Sequence, residues 1–269
     1  MRNRMLWTVA VVATLASAVY QRTTGPTYET RVEERFGAGD VRGELLRSHS
    51  VSSDLPVEFE VEDPAVVGRV LWRRLGAGDP WSTVPMVRDG SRLTAALPAQ
   101  PAAGKIEYSV VLALDEDILA VGGEEAVVAR FKGDVPPFVL VPHILFMFLG
   151  MLWSNRTGLE ALVGGPRRDR MALVTLGLLV VGGLILGPIV QKYAFGAFWT
   201  GWPLGEDLTD NKLAVAVVAW GWASWRRGDG RWPRATAIIA ALIVLAVYMI
   251  PHSLHGSTLD YATMETVSG

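Results

Sequence analysis

No cysteine occurs in this chain, which excludes disulfides, thiolate metal ligands, a covalent CxxCH haem attachment and a cysteine nucleophile. An excess of charge of either sign is also missing, since 25 Lys and Arg stand against 27 Asp and Glu for a formal net charge of −2. Nucleic-acid binding needs a concentrated basic surface. Here the arginines fall in short clusters beside apolar runs, so no nucleic-acid partner is expected. Histidine is scarce at four residues, which leaves few candidates for any imidazole site. What the chain has in abundance is apolar: 50% of its residues are hydrophobic and its mean hydropathy is +0.28. These residues are gathered into runs near the roughly 20 needed to cross a bilayer core, the mark of an integral membrane protein.

Residues 1–20 read as a signal anchor or a signal peptide. Met1-Arg2-Asn3-Arg4 precedes an apolar stretch that contains Ala16-Ser17-Ala18, a pattern common to both, and either one exports the segment after it. Four further spans are predicted at 137–153, 171–190, 208–225 and 235–251, five counting the N-terminal anchor. Arg156, Arg167, Arg168 and Arg170 come after the second span, and Arg226, Arg227, Arg231 and Arg234 after the fourth. Counted by the positive-inside rule, these loops and the N-terminus face the cytoplasm. Residues 21–135, the loop 191–212 and the tail 256–269 are then expected on the periplasmic or external face of the cytoplasmic (inner) membrane. The fourth span is short, because its uninterrupted apolar part begins only at Leu213. A re-entrant element there would move the C-terminus inside.

Between residues 21 and 135 the periodicity changes to short alternating runs at 57–61, 68–74, 92–97 and 106–112, separated by turn clusters such as Gly76-Ala77-Gly78-Asp79-Pro80 and Asp89-Gly90. Such spacing predicts an exported β-sandwich. The expected fold class is therefore mixed: a β-sandwich domain at 21–135 and an α-helical transmembrane bundle, with four helices at 136–255. His49 lies alone near a strand end without a nucleophile–base pair or a ligand set around it, so this domain reads as a binding or spacer module.

Chemistry-bearing residues concentrate on the outer face. His143 comes directly after Pro142 near the outer end of the second span, His252 directly after Pro251 at the outer end of the fifth, and His255 lies just beyond. Groups of this kind at bilayer depth are costly and raise the expectation of a site, here a metal-ligating one. The loop 191–212 interleaves Trp199 and Trp202 with Gly196, Gly201, Pro203 and Gly205, a composition suited to a tight loop that presents ring faces. An outer aromatic belt explains the same tryptophans. Lys192, Asp207, Asp210, Asn211 and Lys212 complete the candidate ligand-binding set. Capping of a helix accounts for one or two of the acidic residues but does not require the whole Asp207–Lys212 run. Gly183 and Gly187 in the third span have the small-xxx-small spacing of close helix contact.

Two resemblances rest on these residues. Trp72-Arg73-Arg74, Trp81, Val84-Pro85-Met86, Asp89-Gly90, Leu97-Pro98 and Ile106-Glu107-Tyr108 resemble a fibronectin type III or immunoglobulin-like module. Gly196 to Trp202 and then Asp207, with His143 and His252 or His255 flanking, resembles the Trp-rich loop of haem-handling proteins of cytochrome c assembly. That second resemblance implies haem as the ligand and the histidines as axial ligands. It departs from the family in the looser tryptophan spacing and in Pro203-Leu204-Gly205-Glu206 before Asp207. Three classes stay open: a membrane accessory, assembly or binding protein that meets membrane lipid and other membrane or periplasmic proteins; haem or metal handling; and an outer-leaflet lipid or quinone enzyme.

Overall fold

A computed structural model describes residues 1–228, 230–251 and 256–267. It contains an N-terminal helix, a β-sheet-rich domain, a helical bundle and a C-terminal hairpin. The alternating segments form strands because every second residue is apolar and can face one core. In β4 (Leu55–Val61), Leu55, Val57, Phe59 and Val61 are buried while the three residues between them are exposed.

One sheet runs in the order β1 (Thr30–Phe36), β2 (Gly39–Leu45), β4, β8 (Arg92–Leu97) and β7 (Val87–Asp89). The other runs β3 (Ser48–Ser50), β11 (Val127–Lys132), β9 (Lys105–Leu114), β5 (Val67–Arg74) and β6 (Ser82–Pro85), with β10 (Asp117–Val121) also paired to β9. Every pair is antiparallel except β3 with β11. A single core joins the two sheets, with Val41, Phe59 and Leu97 from the first packed among Val70, Tyr108 and Phe131 from the second. The four predicted runs all lie within strands. The hairpin β1–β2 shows no clear apolar alternation in sequence, because Glu34, Gly39 and Gly43 share the inward face with the buried Val32, Val41 and Leu45 and the partly buried Phe36.

Among the described residues three helical runs are long and apolar enough to cross a membrane: α2 (Pro137–Leu162), the run Arg168–Phe195, and α6 (Arg231–Met249). The second of these comprises α3 (Arg168–Leu179), a π-helical segment (Val180–Leu186) and α4 (Gly187–Phe195). Two more helices, α1 (Arg2–Thr24) and α5 (Leu208–Trp225), are not among the three but pack against them. In α5 the first turn is spent on Thr209, Asp210, Asn211 and Lys212, which lowers its apolar content.

Close packing accounts for the glycines and alanines. A Cβ on Gly182 would come within 2.7 Å of the Phe146 Cβ on α2, and one on Gly183 would collide with Leu213 Cδ1 on α5. The bundle core is rich in alanine, with Ala161, Ala172, Ala216, Ala223 and Ala240 around the fully buried Trp220, whose indole N–H donates to Ser154 Oγ at 3.1 Å. Small residues at helix contacts let backbones approach where no water-driven hydrophobic force acts. On α1 the buried stripe is Leu6, Ala10, Thr14 and Ser17, and Asn155 of α2 donates to Thr14 Oγ1 at 3.0 Å.

Arg156 differs from the sequence reading. It is not in the loop after the second span, because α2 continues to Leu162 and buries it. Its guanidinium pairs with Glu160 at 2.7 Å and donates to Asn3 Oδ1 at 2.8 Å. A charge so placed must be paired, and an i, i+4 carboxylate on the same helix supplies the partner.

The β domain, the 196–207 connection and the tail gather at one end of the bundle. Gly133 N donates to Ala194 O, Leu259 N to Ala103 O, and Thr266 Oγ1 to Phe195 O. The arginine-bearing connections lie at the other end, where Arg168 donates to Gly228 O at 2.5 Å and Gly228 N to Asp169. The tail is therefore not a loose extension. Its strands β12 (Thr258–Asp260) and β13 (Glu265–Val267) form a hairpin wedged between the β domain and the helices.

Candidate functional site

The loop after α4 begins where Gly196 takes a left-handed conformation with φ 85° and its N–H returns to Lys192 O. Lys192 Nζ reaches the Gly196 carbonyl at 2.6 Å and lies over the Phe198 ring. A cation at a helix C-terminus satisfies orphan carbonyls and suits the dipole. The Trp202-Pro203 peptide bond is cis.

Each polar residue of the Asp207–Lys212 run has a structural partner. Asp207 is the N-cap of α5, with Oδ1 accepting from Thr209 N at 2.8 Å. Its Oδ2 accepts from Thr200 Oγ1, Ser257 N and Ser257 Oγ at 3.2, 2.9 and 3.0 Å. Asp210 Oδ2 accepts from the backbone N–H groups of Thr200 and Gly201 at 2.7 and 3.0 Å. Asn211 Oδ1 accepts from Trp202 N at 2.7 Å. Lys212 Nζ donates to Ile250 O and Pro251 O at 2.9 and 3.1 Å, closing the end of α6. Capping and loop clamping together thus use the whole run. Buried carboxylates demand such donors, since an unpaired buried charge is costly.

The two loop tryptophans take a different course. Trp199 Nε1 donates to Trp202 O at 3.1 Å, and the Trp202 side chain is 78% exposed. Phe198 and Leu204 are exposed beside it. Asp207 and Asp210 therefore turn inward while Glu206 and the apolar tips of the loop turn outward.

Inside the half of the bundle nearer the β domain lies a cavity of about 180 Å³, mostly apolar, whose polar lining includes His143, Gln191, Asp207, Asp210 and Lys212. Trp199 and Trp202 do not line it. A second cavity of about 310 Å³ shares Gln21, His143, Met147 and Tyr248 with the first, and extends between α1 and α2 past Ile144 and Phe148. Those last two side chains are exposed on the bundle surface.

His143 stands at the junction of the two cavities. Its Nδ1 lies 2.8 Å from the carbonyl of Gly182 in the π-helical segment. A carbonyl only accepts, so Nδ1 carries the proton and Nε2 is left as an acceptor or ligand atom. Among the described residues Nε2 has no hydrogen-bond partner. The π-helical segment is the signal that sequence reading missed. The carbonyl that His143 meets belongs to it, whereas Gly182-Gly183 in the sequence gave only a packing signal.

Of the expected set, the structure brings His143, Asp207, Asp210 and Lys212 to one cavity and leaves Lys192, Trp199 and Trp202 outside it. Asn211 faces the loop backbone. His252 and His255 lie outside the described residues. Among the described residues no three His, Asp or Glu side chains form a group able to hold a metal ion.

Charge also gathers at the junction with the β domain. Arg130, on β11, is buried and its guanidinium lies over the Phe195 ring. Burial lowers its pKa, against the favourable charge of Asp207. Lys105, on β9, is pulled down to about 8 by burial and by Arg130, with Asp207 opposing. His49, by contrast, bonds Ser53 Oγ at 3.0 Å and packs edge-on to Phe131, an ordinary strand-end role. A scan against protein-family models, a search of curated proteins and a search of solved structures each found no match to this chain.

Proposed function

We propose that this is a membrane-integral binding or accessory protein that holds the polar end of a lipid-like amphiphile in the outer half of its helical bundle. The observation that carries the reading is His143, shared by two cavities and left with a free acceptor atom. An apolar chain entering between α1 and α2 would pass Ile144 and Phe148. A hydroxyl at its head would donate to His143 Nε2, with the Lys212 ammonium and the Asp210 carboxylate beyond. Mostly apolar pockets with a few convergent polar groups are the usual form of such sites.

In this reading the N-terminus is cytoplasmic and the β domain, with an immunoglobulin-like or fibronectin-like arrangement, lies outside. The exposed Phe198, Trp202 and Leu204 then sit at the outer headgroup level, where amphipathic rings are favoured. Other membrane or periplasmic proteins would meet the same loop or the β domain.

The test is to identify small molecules co-purified with the protein by native mass spectrometry. The wild type should retain an amphiphile, and both His143→Leu and the cavity-filling Ala216→Phe should lose it while reaching the membrane at normal levels. Retention unchanged in both variants would sink the reading.

A further inference from the structure

We propose a second binding site at the opposite, arginine-bearing end of the bundle, which takes the phosphate headgroup of an anionic phospholipid. A cavity of about 670 Å³ opens there between the α2–α3 connection and the start of α6. Arg168, Arg231 and Arg234 line it, with Asp169 as the one acidic residue in its wall among the described residues. Arg168 is already engaged, by Asp169 at 2.7 Å and by Gly228 O. Among the described residues neither Arg231 nor Arg234 has a carboxylate within ion-pair distance. The cavity therefore carries two guanidinium groups not neutralised by the side chains described around it, the fork-shaped donors best matched to phosphate oxygens.

The backbone shapes the same space. Gly164 ends α2 in a left-handed conformation with φ 65°, and a Cβ there would collide with Arg234 Nη2. Only glycine lets the guanidinium lie against the chain at this point. The face of α6 that lines the cavity runs Arg231, Arg234, Ala235 and Ile238, one helical stripe from charged to apolar. A free phosphate would use only the top of that stripe. A phospholipid uses all of it, with its headgroup on the arginines and the start of its acyl chains beside Ile238 and the exposed Leu162 and Val163. Basic pockets between membrane helices recognise anionic headgroups in this way. The site is separate from the outer cavities and does not depend on how they are read.

The test uses the full-length protein in phosphatidylcholine nanodiscs with added phosphatidylglycerol, counting retained lipid by native mass spectrometry. Arg231→Gln with Arg234→Gln should weaken phosphatidylglycerol retention about thirtyfold, roughly what two interfacial arginines at about 1 kcal/mol each contribute. Ala235→Trp keeps both charges and fills the cavity, and should weaken retention to a similar degree. Removing the same charge outside the cavity, by Arg226→Gln with Arg227→Gln, should leave it within about twofold. Equal loss in this control, or full retention in Ala235→Trp, would show diffuse attraction and overturn the proposal. Inorganic phosphate and glycerol phosphate are the second arm: binding of either as tight as that of phosphatidylglycerol would overturn the lipid assignment.

Discussion

Asp207 and Ser257 are joined twice, since one carboxylate oxygen accepts both the backbone N–H and the hydroxyl of Ser257, at 2.9 and 3.0 Å. The N-cap of α5 thereby fastens the C-terminal hairpin, and through Leu259 and Tyr261 that hairpin reaches Ala103 O and Lys105 O of the β domain. One side chain links three parts of the protein.

Asp207→Asn keeps the shape but presents the Ser257 and Thr209 donors with a neutral, partly mismatched amide. Hydrogen bonds to a charged acceptor contribute about 1.5–3 kcal/mol each and are not additive, so a net loss of about 2 kcal/mol is expected. A lower thermal midpoint and faster proteolysis within residues 256–267 should report it. A protected tail at an unchanged midpoint would show that the link contributes nothing.

Gly201→Ala should disturb the loop where it packs on the first turn of α5. The new methyl would come within 2.5 Å of Asp210 Cβ and 2.8 Å of Asn211 Oδ1, displacing the backbone that both residues hold. Overpacking of this kind costs about 1–3 kcal/mol. Altered fluorescence of the Trp199–Trp202 pair, with helix content preserved by circular dichroism, is the expected signature.

Lys105 makes stability depend on pH. Its folded-state pKa of about 8 lies below the ordinary 10.5, because burial and Arg130 disfavour the ammonium. Between these two values the unfolded chain holds the proton and the folded one does not, so stability rises with pH across that window. Below it both states are protonated and the cost of the buried charge is borne in full. Lys105→Met should therefore raise the thermal midpoint more at pH 7 than at pH 10. An equal effect at both would show that the lysine titrates normally.

Residues 21–134 expressed alone should fold as a soluble β-rich domain, because the core joining the two sheets is drawn wholly from that segment. Phe59 is fully buried, and Phe59→Ala should cost the domain about 3–5 kcal/mol, as for other buried aromatics. Circular dichroism of the isolated segment checks the first point and urea unfolding the second. A disordered spectrum would mean that the domain needs the bundle and the tail hairpin.

Reporter fusions after Gly133 and after Val267 should be active on the same, external side. The hairpin contacts the β domain directly, so α5 and α6 must return the chain to the end where that domain sits. Activity on opposite sides would mean that α5 does not cross.

The sequence by itself determined what depends on local period and on bulk solvent preference. Alternation at 57–61 and 106–112 makes strands, because a pleated chain has one wet and one dry face. Apolar runs near bilayer length make α2, α6 and the run from α3 to α4, because a membrane core offers backbone groups no other partner. The tertiary structure decided what depends on partners distant in the chain. Arg156 lies within a bundle-facing helix and not in a loop, because Glu160 and Asn3 pair it. Asp207, Asp210 and Asn211 turn inward, because the backbones of Thr200, Gly201 and Trp202 and the tail at Ser257 supply donors that no spacing rule could anticipate. His143 meets the carbonyl of Gly182 within the π-helical segment of a different helical run. A lone histidine in a sequence carries no record of a hydrogen bond made 39 residues away.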